Sequence, residues 1–271
     1  MKPRISWRVA TVSSARWETA SARTLVLDVP DWPGHLPGQH IDVRLTAEDG
    51  YTAQRSYSIA SAWTPAPSAT GAGSAGASST GASSTGAGSA GAPGTVELTI
   101  QRLDDGEVSP YLTDVVEPGD QIELRGPVGG WFVWREKQTA PVLLIAGGSG
   151  IVPLMAMIRA RGEARGRQPF RLIYSVRTPE DAAYADELRL RVRENPGLDV
   201  HFVYTRKAPD GWPTPPKRID VAAINSHGWP PDFQPDCYVC GPTSFVETAA
   251  DILVALGHDP KRIRTERFGG A

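Results

Sequence analysis

The sequence predicts two domains: a six-stranded antiparallel β-barrel, then an α/β domain built on a parallel sheet. Three observations carry this expectation. Residues 5–61 hold short alternating or β-branched runs separated by proline- and glycine-rich turns, the pattern of antiparallel strands. After Lys137 strand patterns alternate with helix patterns, which builds a parallel sheet covered by helices. Just past that change stands PVLLIAGGSGIVPLMAMI (141–158): an apolar run, a glycine loop, and an apolar segment that continues into Arg159 and Arg161. The expected domains are residues 1–137 and 138–271.

Barrel strands are expected at residues 5–12, 23–29, 40–45, 55–61, 96–101 and 121–126. Residues 64–94 contain only Gly, Ala, Ser and Thr with bounding prolines, without a charge or a large apolar side chain. Such a stretch cannot offset the entropy of ordering, so a disordered low-complexity insertion between neighbouring strands is expected. Closure entropy rises slowly with loop length, and a barrel can carry it. Ser109 is expected to cap a short helix at 111–116, with Pro110 at its first position. The run PVGGWFVW (127–134) is expected to close the barrel with packed aromatic residues.

In the second half, 142–146 reads as a strand buried on both faces and 151–158 as a helix with Pro153 in its first turn. Further strands are expected at 171–176, 200–205, 236–240 and 263–268, and helices at 181–194 and 243–256.

Composition bounds the partners. The chain has 271 residues, 40% of them hydrophobic and 21% charged, enough for ordinary cores. A formal net charge of -2 offers no footprint for nucleic acid, and no basic run suits a membrane surface. The uncharged stretch 140–158 approaches the ~20 residues of a membrane span, but four small loop formers interrupt it. The first residues lack the apolar segment of a signal peptide, and a cytoplasmic location is expected. The two cysteines, Cys237 and Cys240, lie three apart on a strand and so face opposite ways; no metal site is expected from them.

Four short stretches carry the chemistry. Gly147, Gly148 and Gly150 join strand to helix, where unpaired backbone N–H groups can meet a phosphate without a Cβ in the way. In RSYS (55–58), alternation puts Arg55 and Tyr57 on one face and Ser58 on the other. In GEVS (106–109), Gly106 precedes a capped turn. Cys240, Gly241 and Pro242 end a strand at the carboxyl edge of the sheet, where ligands of such sheets bind.

With these motifs in this order, and TERFG (265–269) at the close, the chain resembles the ferredoxin–NADP reductase superfamily over nearly everything except residues 64–94. The resemblance implies that the barrel holds FAD and the α/β domain NADP(H). FAD rather than FMN rests on the resemblance alone. Arg55 then meets the flavin phosphate, Tyr57 offers a ring face to the isoalloxazine and a hydroxyl to the ribityl chain, and Ser58 lies near flavin N5 through a twist at the strand end. Gly106, Val108 and Ser109 form the phosphate loop. Cys240, Gly241 and Pro242 lie at the nicotinamide, Glu266 near the flavin as a polar or proton-relay group, and Phe268 over the flavin face. Plant-type members end in tyrosine, whereas this chain continues through Gly269, Gly270 and Ala271.

Ser175 and Arg177, spaced i and i+2 at the end of the second parallel strand, resemble the Ser-x-Arg arrangement of NADP-using members, with Arg206 as a second cation. NADPH is therefore the expected donor. The implied activity passes hydride from nicotinamide C4 to flavin N5, then single electrons to an acceptor. Related reductases often carry a fused [2Fe–2S] domain with Cys-x₄-Cys-x₂-Cys spacing, absent from this sequence. The expected acceptor is a separate protein, a ferredoxin first, or a small molecule, and the enzyme is expected to be a monomer. Two other readings stay open: an NAD(P)H:flavin or ferric reductase with diffusible acceptors, and a non-catalytic electron-transfer or assembly subunit of a larger redox enzyme.

Overall fold

The computed structural model describes residues 6–63, 94–164 and 168–268. Apart from Gly94, the low-complexity insertion lies outside the described residues, as does the chain beyond Phe268.

Six strands form the first sheet: β1 (Trp7–Thr19), β2 (Ala22–Asp28), β3 (His40–Thr46), β4 (Thr52–Ser58), β5 (Thr95–Gln101) and β6 (Gln121–Val128). Their order is β4-β3-β6-β1-β2-β5, and every neighbouring pair is antiparallel. An isolated bridge between Ile59 and Leu98 links the two edges of the sheet. Leu25, Leu27, Ile41, Val43, Leu98, Ile100 and Leu124 fill the interior, none of them exposed.

Four details depart from the sequence expectation. β4 runs over Thr52–Ser58 where a strand at 55–61 was expected. β1 is 13 residues long and stays paired with β2 by shifting register between Val12 and Ser14. Residues 129–134 do not close the barrel. β6 stops at Val128, because Pro127 has no N–H to donate and Gly129 turns the chain at φ 95°. The aromatic residues beyond it pack on the second sheet instead: Phe132 meets Tyr238 edge-on at 5.5 Å, and Trp134 meets Phe170 at 5.4 Å. Finally, Ser109 is not a cap. Its Oγ accepts the Leu103 N–H at 3.1 Å, and Tyr111–Val115 winds as a π-helical turn with no side-chain cap.

The second sheet is parallel, in the order β11-β10-β7-β8-β9. Its strands are β7 (Val142–Gly147), β8 (Phe170–Val176), β9 (Leu198–Tyr204), β10 (Asp236–Pro242) and β11 (Ile263–Phe268). Helices α1 (Ile151–Glu163) and α2 (Ala185–Glu194) cover one face, and α3 (Val221–His227) and α4 (Thr243–Ala255) the other. β7 feeds both cores by alternation: Val142, Leu144 and Ala146 pack on the α1 side, Leu143 and Ile145 on the α4 side. The two cysteines divide in the same way, Cys240 into the first core and Cys237 into the second, and both are free thiols.

α2 starts later than the sequence suggested, because Tyr184 takes a left-handed φ of 60° immediately before it. α3 was not anticipated; it has only seven residues, and Asp220 caps it by accepting the Ala223 N–H at 2.9 Å. Among the described residues no helix is long and apolar enough to cross a membrane. The uncharged stretch 140–158 is instead a buried strand, a turn and the first half of a helix.

Candidate active site

Strand order reverses at β7: β8 and β9 lie to one side, β10 and β11 to the other. Such a reversal opens a crevice at the carboxyl ends of the two flanking strands. The turn Gly147–Gly150 leaves β7 at this point, and Gly241 lies at the end of β10. The glycines have different tasks. A Cβ on Gly150 would stand 2.1 Å from the Cys240 carbonyl oxygen. One on Gly147 would meet the Phe245 ring at 2.7 Å, and one on Gly241 would meet the same ring at 2.9 Å. These three let β7 and β10 close on each other beneath Phe245, a residue the sequence did not single out. Gly148 alone faces open space, with nothing within 4 Å of its Cβ position and a left-handed φ of 54°. Of the loop glycines, it is Gly148 that leaves main chain open to a pyrophosphate.

The two sheets meet at the same edge. Ser58, the last residue of β4, is buried and donates its hydroxyl to Glu266 Oε1 of β11 at 3.3 Å. Alternation sets Ser58 opposite Arg55 and Tyr57, and on that face β11 supplies Glu266. Cys240 lies beside Glu266 in the β10–β11 register. Burial pushes the Glu266 carboxyl up to about 7, opposed by the Ser58 hydrogen bond. Burial and the Glu266 charge together hold the Cys240 thiol well above its ordinary value. A thiol so held is no nucleophile near neutrality; it is an apolar wall. Phe268 pairs with Pro242 at the top of β11 and packs against the α1-side core.

On the barrel, Arg55 extends from β4 into solvent and ion-pairs with Glu107 at 3.4 Å, side chains 55% and 54% exposed. Tyr51 also donates to Glu107, at 3.2 Å. The sequence reading missed Glu107, which stands inside GEVS and ties that turn to β4. An exposed pair of this kind is worth about 0–1 kcal/mol, and a phosphate held by charge-assisted bonds of about 1.5–3 kcal/mol can displace the carboxylate. Gly106 is needed by the turn itself, since a Cβ there would lie 2.9 Å from Ser109 Oγ. Ser109 Oγ receives the Leu103 N–H and keeps its own proton to donate. The Val108 side chain is core. Tyr57 is half-buried beside Arg55, and burial pushes its phenol up to about 12 against the pull of the Arg55 charge. An exposed cation, a hydroxyl donor and an aromatic face on one stretch of the barrel fit a flavin phosphate and ring.

At the far corner of the crevice, Ser175 lies opposite Gly147 and is only 6% exposed. Arg177, just past β8, is exposed. Its carbonyl accepts the N–H groups of Arg206 and Lys207 at 2.9 and 3.1 Å. The main chains of these three basic residues therefore meet at one corner. Glu180 lies there too, its carboxyl held below its ordinary value by the Thr178 hydroxyl and, less strongly, by the Lys207 charge. The nearby Asp181 is turned away: it accepts the Thr178 N–H at 3.2 Å and hydroxyl at 3.1 Å. Among the described residues no cluster of three metal-ligating side chains occurs.

Two families match the chain in sequence: Oxidoreductase FAD-binding domain over residues 82–133, and Oxidoreductase NAD-binding domain over 144–251. The two matches fall one in each domain, and they bear out the resemblance to the ferredoxin–NADP reductase superfamily. It is 28% identical over 255 residues to a glycine betaine monooxygenase reductase subunit of Chromohalobacter salexigens, covering 93% of this chain and 61% of that protein. It is 29% identical over 185 residues to the toluate 1,2-dioxygenase electron transfer component of Pseudomonas putida, covering 66% and 51%. The chain thus spans about half to three fifths of the length of these relatives.

Solved structures share this fold. The FAD/NAD-binding domain of a Vibrio cholerae nitric oxide dioxygenase superposes with a TM-score of 0.77 at 24% identity, covering 97% of this chain and 99% of that one. A Neisseria gonorrhoeae ferredoxin NADP⁺ reductase with bound FAD and NADP gives 0.73 at 18% identity, covering 96% and 98%.

Proposed function

We propose that this chain takes hydride from NADPH onto FAD and passes electrons singly to a separate acceptor, a ferredoxin first. The observation that carries this reading is the meeting of Ser58, from the barrel, with Glu266 and Cys240, from the parallel sheet, at the crevice where strand order reverses. A site built from both units suits a reaction between two bound rings. We place the domain boundary after residue 137, and the protein in the cytoplasm as a monomer.

Arg55, Tyr57, Ser58, the 106–109 turn and Phe268 would hold FAD. Gly148, Gly241, Arg177 and Arg206 would hold the nucleotide. Bound FAD supplies the exchange between two-electron and one-electron chemistry. The chain's own residues orient the rings, exclude water and manage a proton. Ser58 donates to Glu266, whose raised pKa lets it hold or release a proton near neutrality. Buried Cys240 and the ring of Phe268 line the same edge with apolar surface.

The test is reconstitution and turnover. The purified chain is expected to be yellow and to release FAD on denaturation. Arg55→Ala should weaken flavin retention by about tenfold or more, the ~1.5–3 kcal/mol of a charged hydrogen bond; ultrafiltration of released flavin measures it. Turnover with ferricyanide and then with a ferredoxin distinguishes a reductase of proteins from one that serves only small acceptors. A chain that takes up no flavin refutes the reading.

The basic residues Arg177 and Arg206, whose main chains meet just past β8, support a preference for NADPH. Arg177→Ala should lower kcat/KM for NADPH about tenfold or more and leave NADH nearly unchanged. Equal losses with both nucleotides, or a wild-type preference for NADH, would remove Arg177 from the 2′-phosphate.

A further inference from the structure

Arg159 interrupts an otherwise apolar face of α1 and is only 3% exposed. Its guanidinium reaches out of its own domain. Nη1 donates to the Ala60 carbonyl and to Glu97 Oε2 on the barrel, both at 3.0 Å. Nε and Nη2 grip the two oxygens of Glu187 on α2 at 2.9 and 2.6 Å. Each carboxylate has a second cation: Glu97 takes Arg16 at 2.9 Å, and Glu187 takes Arg191 at 2.7 Å. The Tyr184 ring lies 5.2 Å from the guanidinium and donates its hydroxyl to Thr99 of β5, which in turn bonds Thr24 of β2 at 2.6 Å.

The anchor points matter more than the number of bonds. Ala60 follows Ser58 by two residues, and its N–H is bonded to the Glu97 carbonyl at 2.8 Å. α1 begins at the glycine turn of the crevice. One side chain therefore links the strand end that carries Ser58 to the helix that starts at Gly150. Apolar packing would hold two domains together as firmly as buried charge, since desolvation consumes most of what the ion pairs give. A fork of fixed geometry adds direction.

We propose that Arg159 is a positioning residue, which sets the barrel against the parallel sheet so that the two bound rings lie in register at Ser58 and Gly241. This rests on the functional reading above. A purely structural role would alter stability and flavin content; a positioning role alters the transfer step and the ring-to-ring contact.

The test is Arg159→Lys in the full chain. A compact ammonium keeps the charge but cannot span Ala60, Glu97 and both oxygens of Glu187. FAD content and KM for NADPH should stay within about twofold, while kcat falls about tenfold or more, the scale of a small misplacement of reacting groups. The long-wavelength charge-transfer absorbance formed on anaerobic mixing of reduced nucleotide with the flavoprotein should weaken in parallel. Solution scattering from the flavin-free variant should broaden relative to the wild type. Glu97→Gln, which keeps shape and one acceptor oxygen, should move the same quantities the same way, and it carries the test if the lysine variant does not fold. Unchanged kcat and absorbance in a folded variant, or a kcat that falls only in proportion to FAD content, overturns the proposal. A wild-type chain that accepts no hydride overturns the functional reading, and this proposal with it; wild-type turnover matched by the variants overturns this proposal alone.

Discussion

Gly150→Ala should cripple the α/β domain, whereas Gly148→Ala, two residues away, should leave it folded. The added Cβ at 150 would lie 2.1 Å from the Cys240 carbonyl oxygen and 2.4 Å from its carbon. Neither atom is the end of a flexible side chain, so β7 and β10 must separate at their carboxyl ends. Overpacking of a tight site costs about 1–3 kcal/mol and more where the backbone must move, a large share of a domain's net stability. The switch crevice opens as a result, and nucleotide-dependent flavin reduction should fall a hundredfold or more on the order of what misplaced reacting groups lose. The proposed flavin-phosphate contacts, Arg55 and the 106–109 turn, lie on the other sheet, so most of the flavin affinity should survive. At position 148 nothing lies within 4 Å, and the only strain is the left-handed φ of 54°. That costs about 1 kcal/mol, with nucleotide affinity lowered through the blocked approach to the main chain. Thermal unfolding and anaerobic reduction of both variants measure the contrast. A Gly150→Ala protein with wild-type stability would show that β7 and β10 do not close as described.

Glu266→Gln should remove a pH dependence centred near 7. The carboxyl is held up to about 7 from an ordinary 4.5, chiefly by burial. A raised carboxyl pKa means that the folded protein favours the protonated form. Its contribution to stability is fully present below about 4.5 and is lost as pH rises through about 7. Glutamine imitates the protonated form at every pH. The variant should therefore match the wild type near pH 4 and exceed it at pH 8, by no more than about 3 kcal/mol at 1.36 kcal/mol per unit. Activity should move the other way. Because Glu266 is the proposed proton relay, kcat should drop about tenfold or more at neutrality, and its inflection near pH 7 should disappear. Equilibrium unfolding at the two pH values and a kcat profile for both proteins decide this. An inflection that survives the substitution would assign the proton to another group.

Much of this architecture could be read from single residues. The branched run Val142–Ala146 had to be a strand covered on both faces, and it is the central strand of the sheet, wholly buried. Cys237 and Cys240 had to face opposite ways, and they enter different cores. RSYS placed Ser58 apart from Arg55 and Tyr57 by alternation alone. What could not be read depends on partners distant in sequence. Gly147 and Gly150 look like phosphate-loop glycines until Phe245 and the Cys240 carbonyl are seen against them. Ser109 looks like a helix cap until the Leu103 N–H claims its oxygen. PVGGWFVW reads by composition as the aromatic close of the barrel, yet its aromatic residues find Tyr238 and Phe170 on the other sheet. Arg159 reads as the polar end of an apolar helix, and its anchors lie at positions 60, 97 and 187.

Stopped-flow mixing of the FAD-loaded chain with NADPH in the absence of oxygen tests the central claim most directly. The flavin absorbance should bleach in a single fast phase, slowed several-fold when the transferred hydrogen at nicotinamide C4 is deuterium. Bleaching should be faster with NADPH than with NADH at equal concentration. A flavin-loaded chain whose absorbance neither nucleotide changes would contradict the account, because the crevice between the two sheets would then not be a hydride-transfer site.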